Sequence, residues 1–345
     1  MDKQATASSS RPAGAPSTFI LTRGDIAAFM TVGDYLESAR EAFLALGSGR
    51  AQSPLPLYLE AEGGGIHAKG ALLRTSDGAA YAAVKVNANF PGNPKNSGLP
   101  TIQGAIVLSD ARDGCLLAIL DSIEVTLRRT AAASALAARH LARPDSAVLT
   151  ICGCGGQARP QLAAYAGAFS LRRVFAWDAD PAAARRFCDE VSRPGAFPVE
   201  PVAALGEATA ASDMIVTCTT ARSPFLGVEH VRPGTFIAAI GADSAEKCEL
   251  QPQLLARATV VVDGLEQCAQ IGDLHHAIAA GAMTAADVHA TLAEVVAGSK
   301  PGRRNATEIT AFDSTGMAVL DVAAAIRIYE LARGRGAGLA CRFGE

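Results

Sequence analysis

Hydrophobic spacing changes character three times along the chain. In residues 25–46, DIAAFMTVGDYLESAREAFLAL, Ile26, Phe29 and Met30, then Tyr35, Ala39, Phe43 and Leu46, recur at three-to-four spacing. That pattern predicts two short helices, the second capped around Thr31 to Asp34. From 54 to 120 the texture turns to short apolar runs, PLPLYLE, AYAAVKV, TIQGAIVLSD and CLLAIL, punctuated by Asp-Gly turns at 77–78 and 113–114. This stretch reads as an antiparallel or mixed sheet. Residues 121–142 return to helix, rich in alanine.

At Ala147 a strand–turn–helix alternation begins. Strands are predicted at 147–153, 174–178, 214–220, 236–241 and 259–263, with helices at 159–169 and 181–191. Such alternation specifies a Rossmann-type, doubly wound parallel sheet in the α/β class. The α+β segment before it forms a second domain. The last helix, 318–334, reads as amphipathic and lies beyond the alternation, free to return to the first domain. Residues 1–17 read as a flexible polar tail, 18–142 as the first domain completed by 318–340, and 143–317 as the Rossmann domain.

Composition narrows the classes. The chain has 345 residues, 49% hydrophobic and 19% charged, enough for two buried cores and too apolar for disorder. A net charge of −3 without a basic stripe argues against nucleic acid as a partner. No apolar run reaches membrane-spanning length, and the polar N-terminus lacks the apolar stretch of a secretory signal. Eight cysteines without framework spacing imply reduced thiols and a cytoplasmic setting.

The turn after the first parallel strand reads Gly153-Cys154-Gly155-Gly156-Gln157-Ala158, a G-x-G-x-x-A. The first glycine permits the tight turn, and the second brings backbone amides to a pyrophosphate. The small Ala158 lets the helix pack closely, and its N-terminus offers partial positive charge. The motif alone is weak, but it follows a strand, opens a helix and precedes Asp178 by 20 residues. A carboxylate there accepts ribose hydroxyls and repels a 2′-phosphate, so the expected cofactor is NAD. Cys152 and Cys154 point apart on a strand end and are read as packing residues. No metal site is expected.

Five segments then add up: KVNANFPGNPKNSGLPTIQG (85–104), LRRTAAASALAARHLARPDS (127–146), GCGGQAR (153–159), GADSAEKCEL (241–250) and ITAFDSTG (309–316). In this order they resemble the ornithine cyclodeaminase/mu-crystallin family over about residues 20–335. The resemblance implies a homodimer whose N-terminal domain, completed by the C-terminal helix, serves substrate binding and dimerisation. It also implies NAD(P)-dependent chemistry at a carbon bearing an amine or imine. By the same resemblance Lys85 and Arg129 hold a substrate carboxylate, Arg129 also touching the cofactor, and Arg50 is a third cation. Thr101, Gly156, Gln157, Asp178, Thr219, Lys247 and Ser314 match cofactor contacts, beside Gly153, Gly155 and Gly241 at the turns. Asp243 matches the proton donor and acceptor at the amine, and Thr315 a substrate-lining position.

The residue types suit that chemistry. A buried carboxylate needs cations, and hydride leaves an α-carbon only when the amine lone pair is free, so a base must hold its proton. Spacing alone is equally satisfied by Lys85 as a strand-edge charge, Arg129 as a helix-surface residue and Asp243 as a cap. His275 and His276 lie outside the motifs and are read as surface or supporting residues.

Two reactions fit: interconversion of a small L-amino acid with its imine or keto form, or cyclisation of ornithine to proline with loss of ammonia. The latter needs an acid for the distal ammonium. The chain instead carries His67 and Lys69 in GIHAKG, with Glu60 and Glu62 nearby, which favours amino/imino acid dehydrogenase chemistry. Lys69 is read as a substrate-binding residue suited to a neutral or anionic distal group, the alternative being a strand-edge charge in solvent. A third reading is a non-catalytic protein that keeps NAD as a ligand. Lys85, Arg129 and Asp243 together count against it.

Overall fold

The structure is a computed structural model describing residues 17–192 and 196–342. The expected N-terminal tail lies outside the described residues apart from Ser17. Strands run in chain order as β1 (Thr18–Leu21), β2 (Ala51–Gln52), β3 (Leu57–Ala61), β4 (Gly64–Arg74), β5 (Ala80–Asn89), β6 (Ile102–Asp110) and β7 (Leu116–Asp121). There follow β8 (Val148–Cys152), β9 (Arg173–Trp177), β10 (Val199–Pro201), β11 (Met214–Thr217), β12 (Phe236–Ala239), β13 (Thr259–Val262), β14 (Ala290–Thr291), β15 (Thr310–Asp313) and β16 (Leu339–Cys341).

These form two eight-stranded sheets. The first has the order β16-β1-β7-β6-β5-β4-β2, with β3 also on β4, and is mixed: β1 runs parallel to β7, the other pairings antiparallel. The second, β10-β9-β8-β11-β12-β15-β13-β14, is parallel throughout. Its strands are almost wholly buried and carry near-continuous Val, Ile, Phe and Ala, as a sheet covered on both faces requires. The five strands read from periodicity all lie in it. The pairing puts β15, whose segment had registered only as a motif, between β12 and β13.

Local chemistry sets the helix entries. Thr31 caps the helix Val32–Gly47: its hydroxyl accepts from the Asp34 amide, and Asp34 accepts from the Thr31 amide at 3.0 Å. Such a cap contributes about 1 kcal/mol. The other Asp34 oxygen receives the guanidinium of Arg327 at 2.7 Å, tying the C-terminal helix to this one. Asp121 accepts from Ile123 and Glu124 and opens the helix Ser122–Leu141. Alanines bury most of that helix, which contacts both sheets: against β6 on one side, β12 and β15 on the other.

The C-terminal helix, Ala318–Arg335, lies across β4 and β5 and against the helices Val32–Gly47 and Ser122–Leu141. From Ala318 to Tyr329 every residue but Arg327 is buried. The expected amphipathic helix is therefore corrected to one enclosed on nearly all sides, because sheet covers one flank and helices the other. A fully buried Leu or Ile in such a place is worth about 1.5–3 kcal/mol. The burial brings Asp321 inside with it.

Candidate active site

The two sheets face each other across a cavity of about 750 Å³ at the carboxyl ends of β8, β9, β11 and β12. On the parallel-sheet side stands the glycine-rich turn. Gly153 has φ +97°, and a Cβ there would meet the Cys218 carbonyl oxygen at 2.9 Å, so no other residue fits. Gly155 and Gly156 differ: a Cβ on either would meet nothing within 4 Å. Their lack of a side chain leaves open space above the amides, the room a pyrophosphate needs. The helix Ala158–Ala168 starts here without a side-chain cap, and the buried Gln157 Oε1 has no partner. Both features fit a site built for an anion. Asp178, just past β9, accepts from the Cys154 amide at 2.7 Å and the Asp180 amide at 2.9 Å. The carboxylate thus also braces the turn.

Across the cavity the cations converge. Lys69 on β4 and Lys85 on β5 are directly opposed in register and share a face. Lys85 Nζ lies 2.7 Å from Asp321 Oδ2 and donates to Thr126 Oγ1 at 3.2 Å. Arg129 Nε donates to Asp321 Oδ1 at 2.9 Å. One buried carboxylate thus holds both cations. Burial, only partly opposed by Asp321 and reinforced by Arg129 and Lys69, pushes the Lys85 ammonium down to about 7. For Asp321 burial pulls upward, but Arg129, Lys85 and Lys69 together hold it below the usual carboxylate range. Lys69 Nζ donates to the Gly316 carbonyl at 3.0 Å, and burial followed by Arg129 lowers its pKa. Gly316, at φ +84°, must be glycine, since a Cβ would strike the Arg129 guanidinium at 2.9 Å.

The third wall is the turn after β12. Asp243 is largely exposed and ion-paired with Lys247 at 2.5 Å. The Lys247 carbonyl accepts from His276 Nε2 at 2.9 Å, so one of the two unassigned histidines supports this turn, while His275 bonds the Ala269 carbonyl. Beneath lies Glu249, fully buried, which accepts from Thr217 Oγ1, the Thr219 amide and hydroxyl, and the Gly241 amide. Burial first, then the charge of Asp273, raises its pKa. Asp263, at the end of β13, accepts from Ser314 Oγ, Thr315 Oγ1 and the Gly316 amide and so fixes the fourth edge.

Of the residues expected from sequence, Lys69, Lys85, Arg129, Gly153, Gly155, Gly156, Gln157, Asp178, Thr219, Gly241, Asp243, Lys247, Ser314 and Thr315 line this one cavity, with His67. Two do not. Arg50 pairs with Glu41 at 2.9 Å and donates to the Arg74 carbonyl, five residues along β4 from Lys69, about 17 Å away in an extended strand. The expectation that Arg50 holds substrate is corrected accordingly. Thr101 is also outside: its carbonyl closes the 90–101 loop onto the Phe90 amide, and Ile102, its neighbour, faces the cavity instead. Glu60 and Glu62 are exposed and outside it too. Sequence reasoning missed Asp321 and Glu249. Asp321 had a signal, an acid inside an otherwise apolar helical run; Glu249 stood within the GADSAEKCEL motif with nothing to mark it.

Comparison with known proteins gives the family and the fold. The profile of the "Ornithine cyclodeaminase/mu-crystallin family" matches residues 17–336. The alanine dehydrogenase of Archaeoglobus fulgidus is 38% identical over 94% of this chain and 98% of its own. The iminosuccinate reductase of Paracoccus denitrificans is 34% identical over 92% and 97%. Among solved structures, an archaeal alanine dehydrogenase dimer with bound NAD superposes at TM-score 0.89 with 38% identity, covering 95% of this chain and 99% of that one.

Proposed function

The chain belongs to the ornithine cyclodeaminase/mu-crystallin family, and from that premise we propose that its cleft reduces a 2-imino acid to the amino acid, and the reverse. The protein is an NAD(H)-dependent oxidoreductase acting at the α-carbon. The observation carrying the residue assignment is the meeting of two half-sites in one cavity: an open glycine turn beside Asp178, and Lys85 with Arg129 opposite. Alanine and iminosuccinate, substrates in the relatives' names, share a carboxylate beside the reacting carbon.

When bound, NAD(H) supplies or accepts the hydride. Gly155, Gly156 and the uncapped helix start would take the pyrophosphate, Asp178 the ribose hydroxyls, and Thr219, Gly241, Lys247, Ser314 and Arg129 the remainder. Lys85 and Arg129 bind the α-carboxylate, exchanging part of their hold on Asp321 for it, with Thr315 beside it. Asp243 moves the proton at the substrate nitrogen from the turn after β12, where it pairs with Lys247. The cyclodeaminase alternative needs an acid for a distal ammonium. Lys69 lines the cavity while Glu60 and Glu62 stand outside it, which supports the dehydrogenase reading.

The same reading divides the chain into a substrate-binding/dimerisation domain, 18–142 with 318–340, and an NAD-binding domain, 143–317. The outer face of the first sheet exposes Leu57, Leu59, Leu72, Val84, Val86 and Val107, an apolar surface that suits a homodimer. Cysteines free among the described residues support a cytoplasmic setting. No described helix is long and apolar enough to cross a membrane.

The test is NADH consumption by the purified protein with ammonium and a panel of 2-oxo acids. Turnover with at least one, giving the matching L-amino acid, is the expected result; NADH binding with no turnover on any would overturn the assignment.

A further inference from the structure

Lys69 sets this cleft apart. Its register partner Lys85 shares Asp321 with Arg129, and Lys247 has Asp243. Among the described residues Lys69 is the cleft cation with no carboxylate within ion-pair distance; its hydrogen bond goes to a neutral carbonyl, that of Gly316. It is no charge turned to water: although β4 is paired at this position on the β5 side alone, between the ends of β3 and β2, Lys69 faces the same way as buried Ala71 and Leu73 and lines the cavity. His67 lies two residues along on that face and also lines the cavity, with the Tyr58 ring tilted against its own at a centroid distance of 4.6 Å. A half-buried ammonium with no carboxylate in contact is costly, and the site keeps it beside two further cations while Asp321, Asp263 and Asp243 act on it only from beyond ion-pair distance.

We propose that Lys69, with His67 beside it, binds a second carboxylate, so that the substrate is a four- or five-carbon 2-imino dicarboxylic acid. This rests on the amino/imino acid reading above. The Cβ atoms of directly opposed strand residues lie about 4.5–5.5 Å apart. Lys85 and Lys69 can thus each take one end of a short diacid, the α-carboxylate on Lys85 and Arg129 and the distal one on Lys69. The reaction balances as for any 2-imino acid. Hydride from NADH forms the new bond to the α-carbon, the C=N π pair passes to nitrogen, and nitrogen takes a proton relayed by Asp243. NADH is oxidised to NAD⁺ and the imine reduced to the amine. An ammonium at the distal position would instead face Lys69, which excludes diamino acids.

The test measures kcat/KM for oxaloacetate, 2-oxoglutarate, pyruvate and 2-oxobutyrate with NADH and saturating ammonium, in wild type, Lys69→Met and Lys69→Arg. Wild type prefers a diacid at least tenfold. Lys69→Met lowers the diacid-to-monoacid ratio about 10- to 100-fold, the loss expected for one charge-assisted hydrogen bond, and Lys69→Arg restores most of it. A second measurement needs no variant: succinate inhibits wild type competitively against the imino acid, at least tenfold more tightly than butyrate. Equal or better use of the monoacids, with Lys69→Met lowering all substrates alike, overturns the proposal while leaving the general reaction standing. Absence of turnover on every 2-oxo acid overturns the general reaction instead.

Discussion

Lys85 and Asp321 are joined at 2.7 Å inside the protein, although one sits on a strand of the first sheet and the other on the C-terminal helix. The contact makes the last helix part of the substrate site. It also holds Lys85 and Arg129 side by side before any substrate arrives. Asp321→Asn leaves those cations without their shared counter-charge, and breaking a buried ion pair on one side costs about 3–5 kcal/mol. Urea unfolding at neutral pH should show a loss of that order. A loss below about 1 kcal/mol would mean that the ion pair is not what holds the helix in place.

The Lys85 pKa, depressed to about 7 chiefly by burial, gives a pH signature. Above that value the free enzyme carries a neutral amine and binds the substrate carboxylate less well. The profile of kcat/KM should therefore fall as pH rises through about 7, while that of kcat falls at higher pH, because a bound carboxylate favours the ammonium. The stability sign is fixed as well. A lysine whose folded pKa lies below its unfolded value of 10.5 releases its proton on folding between the two values, so stability relative to Lys85→Met rises with pH across that window. A kcat/KM profile flat from pH 6 to 9 would remove Lys85 from carboxylate recognition.

Asp178 predicts the cofactor. NADH should bind at least tenfold more tightly than NADPH in direct titration, because a 2′-phosphate would meet the carboxylate. Asp178→Ser with Ala179→Arg should weaken or invert that preference. It should also weaken NADH binding, since Asp178 braces the glycine turn through the Cys154 amide. Equal affinity of wild type for the two cofactors would contradict the assignment.

The apolar outer face of the first sheet predicts a dimer. Sedimentation at micromolar concentration should give about twice the 35.4 kDa chain mass. Val84→Asp with Val107→Asp, a cross-strand pair on that face, should give monomers. A wild-type monomer would remove the dimer from the account.

What could be read from the sequence was what local pattern encodes. The capping box of Thr31 and Asp34, the glycine turn and the spacing to Asp178 each depend on residues close in the chain, and each stands where the pattern put it. Long-range pairing was the part that could not be read. The enclosure of the C-terminal helix, the insertion of β15 between β12 and β13, and the joining of Lys85 to Asp321 depend on segments far apart in the chain brought together by packing. Arg50 failed for the same reason: its motif lay near the others in sequence, but β2 pairs with the far end of β4.

Hydride transfer to the α-carbon, with Asp243 handling the nitrogen proton, is tested most directly with NADH deuterated at the transferable position of its nicotinamide. After reaction with ammonium and the best 2-oxo acid, mass spectrometry should find one deuterium on the α-carbon of the amino acid. Asp243→Asn should bind NADH as before and form the labelled product about 10²–10⁴-fold more slowly. An amino acid product without the label, or an Asp243→Asn variant as fast as wild type under chemistry-limited conditions, would contradict the mechanism.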